Sequence, residues 1–588
     1  MKKLFVYLSE YRKESVLAPL FKLLESGMDL LVPLVVAAII NQGVAGADTG
    51  VILRSFALLI GLALLGMGFS FTAQWMAARA SVGFCTRLRQ ALFDHIQKLS
   101  YRELDTLGTD TLITRMTSDI NQIQNGLNLA LRLLLRSPFI VFGAMIMAFT
   151  IDTPSALIFA GAIPALSAVV FGIMLLSIPL YTKVQAALDR LLGRTRENLA
   201  GVRVIRAFRK EQQEIDDFDR QNDLLTRMNE KVGRLSALMN PGTWLLINLA
   251  AILLIRQGAL RVDAGVLRQG DVVALYNYMA QIVVELVKLA SLIITINKSL
   301  ACARRVQAML DTESSLTFPP ALPAERPASA PAVRFSRVSF SYSASADPAL
   351  TDIDFTAPKG STVGIIGGTG SGKTTLVHLI ARFYDASQGA VEVDGLDVRH
   401  YPEGALTEKI GIVPQKAVLF EGTIRENLRW GNPSAPDEAL WQALETAQAA
   451  EIVRGRDGQL DAPVAQGGRN LSGGQRQRLT IARALVKQPE ILILDDSASA
   501  LDFATDLALR RALSSLPGHM TVFIVSQRAS SVREADQILV LDDGRLAGAG
   551  SHGELMRSCS VYREIYYSQY PEERPDRRQP AAGKEALA

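Results

Sequence analysis

Cysteine, histidine and aromatic side chains are scarce in this chain, and net charge is small. Only three cysteines occur in 588 residues, Cys85, Cys302 and Cys559. They are odd in number and far apart, which fits neither a disulfide framework nor a zinc-ligand spacing. They read as reduced structural thiols. Five histidines leave little material for imidazole chemistry, and aromatic residues make up 7%. A formal charge of +4 over this length supplies no polyelectrolyte surface, so nucleic acid is excluded as a partner. At the N-terminus, "MKKLFVYLSEYRKESVLAPLF" has basic residues, but the apolar stretch that follows is too long for a signal peptide and lacks a small-residue cleavage site. It is expected to remain as a membrane span.

What the chain has in quantity is apolar residues, 49% in all, concentrated before about residue 300. Six runs approach the ~20 residues a helix needs to cross a bilayer. They lie near Val16 to Val44, Leu53 to Ala80, Leu127 to Phe149, Ala156 to Leu180, Leu238 to Leu260 and Val272 to Ile296. Long charged stretches separate the second run from the third and the fourth from the fifth. They keep helical spacing, so the spans are expected to continue beyond the membrane. Lysine and arginine gather in those stretches and at the N-terminus, which by the positive-inside rule places them and the C-terminal half in the cytoplasm. Arg256, Arg261 and Arg268 run against the rule and are outvoted by the other connections. Localisation is therefore expected in the inner (cytoplasmic) membrane, multi-pass.

The pattern changes at "DTESSLTFPPALPAERPASAPA", a proline- and alanine-rich linker. From Val333 short β-branched runs alternate with helical ones, as in an α/β domain with a mostly parallel core sheet. The expected organisation is a transmembrane domain over 1–310, a linker over 311–330, a nucleotide-binding domain over 331–570, and a disordered tail over 571–588.

Three motifs carry chemistry. "GGTGSGKTT" comprises Gly367, Gly368, Thr369, Gly370, Ser371, Gly372, Lys373, Thr374 and Thr375. It stands between a strand-like and a helix-like stretch, where glycines let backbone N–H groups wrap phosphates, Lys373 meets the β/γ charge and Thr374 offers an oxygen to Mg²⁺. "ILILDD" ends a strand on Asp495, placed for the metal shell, and on Asp496. In "NLSGGQRQRL", Leu471, Ser472, Gly473, Gly474 and Gln475 open a helix whose N-terminus suits an anion.

This last stretch resembles the signature motif of ATP-binding cassette (ABC) transporters, and nearly the whole chain is similar to one half of an ABC exporter. The fold so implied is a membrane all-α domain of six long helices followed by an α/β P-loop NTPase domain with an α-helical signature subdomain. The implied ligands are ATP and Mg²⁺. By the same resemblance Tyr342 stacks on adenine, Gln415 senses Mg²⁺ and the membrane part, and Asp502 belongs to the "SALD" loop that crosses between two nucleotide domains. "YRELDTLGTDTLITRMTSD" and "ENLAGVRVIRAFRKE" resemble the family's two contacts that pass motion between domains. Such proteins hold two ATP molecules between two domains, so a second half-transporter is the implied partner.

Two positions depart from the family pattern. Its general base is a glutamate directly after the magnesium-binding aspartate, and here that residue is Asp496, one methylene shorter. Its switch histidine is replaced by Gln527, which can donate a hydrogen bond but cannot take up a proton. The pair of changes resembles the degenerate-site subunit of heterodimeric exporters. The expected activity is ATP-driven export of a small amphipathic or hydrophobic compound, this chain carrying a hydrolysis-poor site and an intact LSGGQ for its partner. The alternatives are a homodimeric exporter or lipid flippase, a siderophore importer of exporter fold, and an ATP-gated regulatory subunit. In the first span Lys22, Glu25 and Asp29 share a helix face, as a polar cavity patch or a structural ion pair. Met145, Met147, Met174, Met239 and Met279, with Trp75 and Trp244, suit either packing or an adaptable cavity contacted by substrate and lipid.

Overall fold

A computed structural model describes residues 3–322, 330–343, 347–516 and 520–574. Most of the expected tail, 575–588, and part of the linker, 323–329, lie outside the described residues. The chain forms two compact units, Met1–Lys98 with Leu107–Glu313, and Leu99–Thr106 with Ser314–Ala588. The short segment Leu99–Thr106 thus groups with the second unit although it lies within the sequence of the first.

Among the described residues, the first unit contains six long apolar helical segments: α1 (Leu4–Val44), α2 (Thr49–Ile96), α3 (Thr109–Ile151), α4 (Thr153–Ala200), α5 (Glu211–Asp263) and α6 (Gln269–Leu310). They are 41 to 53 residues long. At ~1.5 Å per residue they reach roughly 60 to 80 Å, about twice the hydrocarbon thickness of a bilayer. The long charged connections of the sequence are therefore mostly helix, as their spacing predicts, interrupted by turns at residues 97–100 and 208–210. α1 passes from a 3₁₀ turn through an α-helix to a π-helical end at Ile39–Val44.

Helix ends are closed by side chains where the chain turns. Asp48 caps α2 through the N–H groups of Gly50 and Val51, and Asp152 caps α4 through Ser155. Asp152 also pairs with Arg261 at 2.6 Å, so one of the three arginines that oppose the charge rule is neutralised by the cap of another connection. Leu30, Ala144, Phe159, Leu254 and Tyr278 lie in the main core of this unit.

In the second unit, β1 (Val333–Phe340), β2 (Leu350–Ala357), β4 (Gln388–Val393) and β5 (Leu396–Asp397) form a sheet of order β2-β1-β4-β5, antiparallel throughout. The larger sheet joins β3 (Thr362–Gly367), β6 (Ile410–Val413), β9 (Ile491–Asp495), β10 (Thr521–Val525), β11 (Gln537–Asp542) and β12 (Arg545–Gly550) in the order β12-β11-β3-β10-β9-β6. All its pairings are parallel except that of the edge strand β12. A two-stranded ribbon pairs β7 (Gly422–Thr423) with β8 (Pro463–Val464).

The aliphatic run Ile491–Leu494 follows from this arrangement. Side chains alternate across a strand, so Ile491 and Ile493 enter the core facing the antiparallel sheet, while Leu492 and Leu494 enter the core under the helical subdomain. A strand buried on both faces has no polar side, and a continuous apolar run results.

Candidate functional site

Parallel strands end together at one edge of the sheet, and the chemistry-bearing residues stand there. β3 leads through Gly367–Gly372 into α7 (Lys373–Ile380). Gly372 has φ +93°, and a Cβ on it would stand 2.6 Å from Leu350 Cδ2 and 2.7 Å from Ala349 O. Only glycine combines that left-handed backbone with so close an approach. Lys373 is buried, and its Nζ donates to Gly367 O at 3.0 Å and Gly368 O at 2.5 Å. Burial lowers its pKa, against the opposing charges of Asp496 and Asp495.

Asp495 closes β9 and is almost fully buried. Thr374 Oγ1 donates to its Oδ1 at 3.0 Å. Burial pushes the Asp495 carboxyl above its ordinary range, the Thr374 bond opposes this, and the neighbouring Asp496 charge adds to it. Two hard oxygen donors side by side fit a Mg²⁺ site, because this ion takes oxygen ligands and would relieve the buried negative charge.

Asp496 has a left-handed backbone, φ +47°. Its N–H donates to Val525 O at 3.0 Å, and its Oδ2 accepts from Gln415 Nε2 at 3.3 Å. The structure therefore brings Lys373, Thr374, Asp495, Asp496 and Gln415 into one connected site. Tyr342 joins at its margin: its hydroxyl lies 2.9 Å from Thr375 Oγ1, and its ring is held edge-on by Phe340 and Tyr384. Arg102, from the segment Leu99–Thr106, donates to Tyr342 O at 3.2 Å, and Tyr101 stacks on Phe383.

The signature residues form a second construction. Ser472 caps α8 (Gly473–Val486) in a reciprocal box with Gln475, the two bonds being 3.3 and 3.1 Å. Leu471 is buried, Gly473 is open, and a Cβ on Gly474 would meet Ala500 O at 3.0 Å. Among the described residues, no hydrogen bond joins Leu471–Gln475 to Gly367–Thr375. Asp502 caps α9 (Phe503–Ser514), accepting from Thr505 N–H at 2.9 Å and Thr505 Oγ1 at 2.8 Å. These bonds, the backbone one foremost, hold its carboxyl below the ordinary range.

Gln527 is exposed beyond β10, and its carbonyl accepts from Gln569 Nε2 at 2.8 Å. The Gln569 Oε1 also accepts from Ala529 N–H at 2.8 Å. Gln569 ends α10 (Ser560–Gln569) and bonds the Gln527–Ala529 segment at both ends. Next to it, Arg528 donates to the carbonyls of Ala498 and Leu501, both at 3.4 Å. Sequence reasoning gave no role to Gln569 or Arg528, since neither stands in a chemical motif.

In the first unit Lys22 pairs with Glu25 at 2.5 Å and donates to Ser70. Asp29 separates from that pair and meets Arg136 at 3.2 Å. Arg136 in turn pairs with Glu285 at 2.8 Å. Arg136 and Glu285 were also missed, though ionisable residues in apolar spans are a readable signal.

A glycine-rich strand-to-helix turn, a strand-end acid pair and a capped helix N-terminus, in a chain with six membrane-length helices among the described residues, fit an ATP-binding subunit of a membrane transporter. Family comparison agrees in both halves. Residues 15–286 match the ABC transporter transmembrane region and residues 350–499 the ABC transporter domain. An uncharacterised ABC transporter ATP-binding protein of Mycobacterium tuberculosis is 37% identical over 570 residues, covering 96% of this chain and 97% of that protein. A multidrug efflux ATP-binding/permease protein of the same organism is 31% identical, covering 95% of this chain and 47% of its own length. The solved structure of a bacterial Atm1-family ABC exporter with ATP bound aligns with a TM-score of 0.78 at 26% identity, over 98% of this chain and 99% of that one. The chain belongs to the ABC transporter family, as a half-transporter of the exporter type.

Proposed function

We propose that this protein is one half of a heterodimeric exporter of amphipathic or hydrophobic small molecules in the cytoplasmic membrane, and that its own ATP site binds nucleotide but hydrolyses it poorly. ABC exporters work as dimers driven by ATP; what is proposed is the asymmetry, the substrate class and the orientation. The observation that carries the asymmetry is Asp496, short of a glutamate and placed beside Gln415 at 3.3 Å, together with Gln527 in the switch loop.

The binding parts are intact. The Gly367–Gly372 backbone and Lys373 would hold the phosphates, and Tyr342 would lie against the adenine. Mg²⁺, bound through Thr374 and Asp495 with Gln415 nearby, would supply charge neutralisation at the phosphates. A general base must come within hydrogen-bond reach of the water it activates. Asp496 holds its carboxylate about one C–C bond, ~1.5 Å, behind the reach of a glutamate. Gln527 can donate toward a γ-phosphate but cannot carry charge. Base catalysis is worth ~10² to 10⁴ in rate, or about 3 to 5 kcal/mol of barrier. The outcome is retained binding with slow turnover. The capped N-terminus of α8, with Leu471–Gln475, would complete the working site on a partner that supplies glutamate and histidine.

The test is ATPase activity of this chain purified alone and of its complexes with other half-transporters. Near silence alone and turnover in a complex, lost when the partner's own glutamate becomes glutamine, is expected. A normal rate from this chain alone would make it a homodimer with tolerated variants.

A further inference from the structure

The three charged side chains of α1 divide in the structure, and the division leaves one of them facing a cavity. Lys22 and Glu25 satisfy each other, with Ser70 as a further partner. Asp29 instead begins a chain of alternating charge across three helices: Asp29 to Arg136 at 3.2 Å, Arg136 to Glu285 at 2.8 Å, and Glu285 to Lys288 at 3.0 Å. Ser137 Oγ donates to the second Glu285 oxygen at 2.8 Å. The middle of this chain is closed. The Glu285 and Arg136 side chains are 5% and 13% exposed and share their charge with two partners each.

The ends are open. Asp29 is 45% and Lys288 48% exposed, each has a single ion-pair partner among the described residues, and that partner is already shared. Both line one cavity of about 530 Å³, within the ~300 to 1,000 Å³ usual for small-molecule sites. Its remaining wall combines an apolar strip, including Val32, Ile140 and Val284, with polar side chains such as Asn277 and Gln281. Two further lining residues carry buried polar atoms without a hydrogen-bond partner among the described residues: the donor Arg136 Nε and the acceptor Gln281 Oε1. A buried polar atom without a hydrogen bond is a net cost to the fold. The cavity thus brings an open anion and an open cation together beside an apolar strip.

We propose that this cavity receives a zwitterionic group, its ammonium against Asp29 and its carboxylate or phosphate against Lys288, with an apolar body along the Val32, Ile140 and Val284 wall. This deepens the exporter reading and rests on it for direction, though not for binding. The same chemistry is offered by a lipophilic peptide with free termini and by an aminophospholipid headgroup.

The experiment is equilibrium binding to the full chain in phosphatidylglycerol nanodiscs without nucleotide. The probes are trileucine, its N-acetyl form and its C-terminal amide, with native mass spectrometry after added phosphatidylethanolamine. Expected for a peptide occupant is at least tenfold weaker binding on acetylation or amidation. Asp29→Asn should weaken free trileucine by a similar factor and leave the acetylated peptide unchanged; Lys288→Gln should do the same for the amide. For a lipid occupant, phosphatidylethanolamine is retained by the parent chain, released by Asp29→Asn, and trileucine does not compete. Both substitutions leave Arg136, Glu285 and Ser137 paired, so the fold is kept. Equal binding of the three peptides without retention of phosphatidylethanolamine overturns the proposal, as does an Asp29→Asn loss that is the same with and without the acetyl group. ATP-driven transport is scored separately, with the chain and its partner half-transporter together in sealed proteoliposomes. Selectivity without transport refutes the exporter reading alone, and transport without selectivity refutes this site alone.

Discussion

Lengthening Asp496 by one methylene tests the central claim about the nucleotide site. In Asp496→Glu the side chain gains one C–C bond, ~1.5 Å of reach, and Gln415 Nε2, now 3.3 Å from Asp496 Oδ2, shifts to admit it. The opposing term is the backbone. Asp496 sits at φ +47°, where aspartate is tolerated better than glutamate because a short polar side chain can bond locally. A left-handed residue costs roughly 1 to 2 kcal/mol, and the aspartate-to-glutamate difference is a fraction of it, at most about 1 kcal/mol. The catalytic term, about 3 to 5 kcal/mol of barrier for a restored base, exceeds it. The fold bears the loss, since domains are stable by ~5 to 15 kcal/mol. The expected result is a 10²- to 10³-fold rise in ATP turnover, with nucleotide affinity within about threefold of the parent. Steady-state phosphate release would be measured for the chain alone and for a complex whose partner glutamate is glutamine, with Lys373→Ala as the blank. A parent chain that already turns over within threefold of Asp496→Glu, above the Lys373→Ala blank, would refute the reasoning.

Other residues give independent outcomes. Ser472→Ala removes the α8 cap and should cost about 1 kcal/mol, read as a lower unfolding midpoint, while Ser472→Asn keeps most of it. Glu285→Ala leaves Arg136 with Asp29 as its remaining ion-pair partner and takes that of Lys288, and should destabilise the membrane unit by up to about 3 kcal/mol, measured by thermal aggregation in detergent. Asp495→Asn should raise the midpoint of the nucleotide-free protein. Burial holds the Asp495 carboxyl above its ordinary pKa, so its favourable contribution exists below the unfolded value and is lost as pH rises through the folded one, leaving a net cost near neutrality. The same substitution should abolish the Mg²⁺-dependent part of stabilisation by ATP. Asp394 has the opposite sign. Burial would push its carboxyl up, but bonds from Lys409 and Lys359 outweigh this and hold it below the ordinary range. Its contribution is present above about pH 4 and lost as pH falls through the folded pKa. Asp394→Asn should therefore flatten the fall in stability between pH 5 and 3, followed by urea midpoints.

Local rules wrote much of this protein into its sequence. Runs of apolar residues near bilayer length fix helices, because backbone groups in hydrocarbon must bond within their own segment. "GGTGSGKTT" fixes a tight strand-to-helix turn, because glycine alone reaches φ +93° where Gly372 packs on Leu350. Ser472 three residues before Gln475 fixes a helix start. Each is decided within a few residues, so order along the chain suffices. Tertiary structure decided the rest. It set Thr374 beside Asp495, 121 positions apart, and Gln415 beside Asp496, 81 apart. It took Asp29 from Lys22, its neighbour on the helix face, and gave it to Arg136, 107 residues away. A helix face says which residues point together; what meets that face depends on which other helix arrives, and that is chosen by packing of the whole core. Gln569 shows the same limit: an ordinary residue in sequence, it bonds both sides of the Gln527 loop only because α10 ends there.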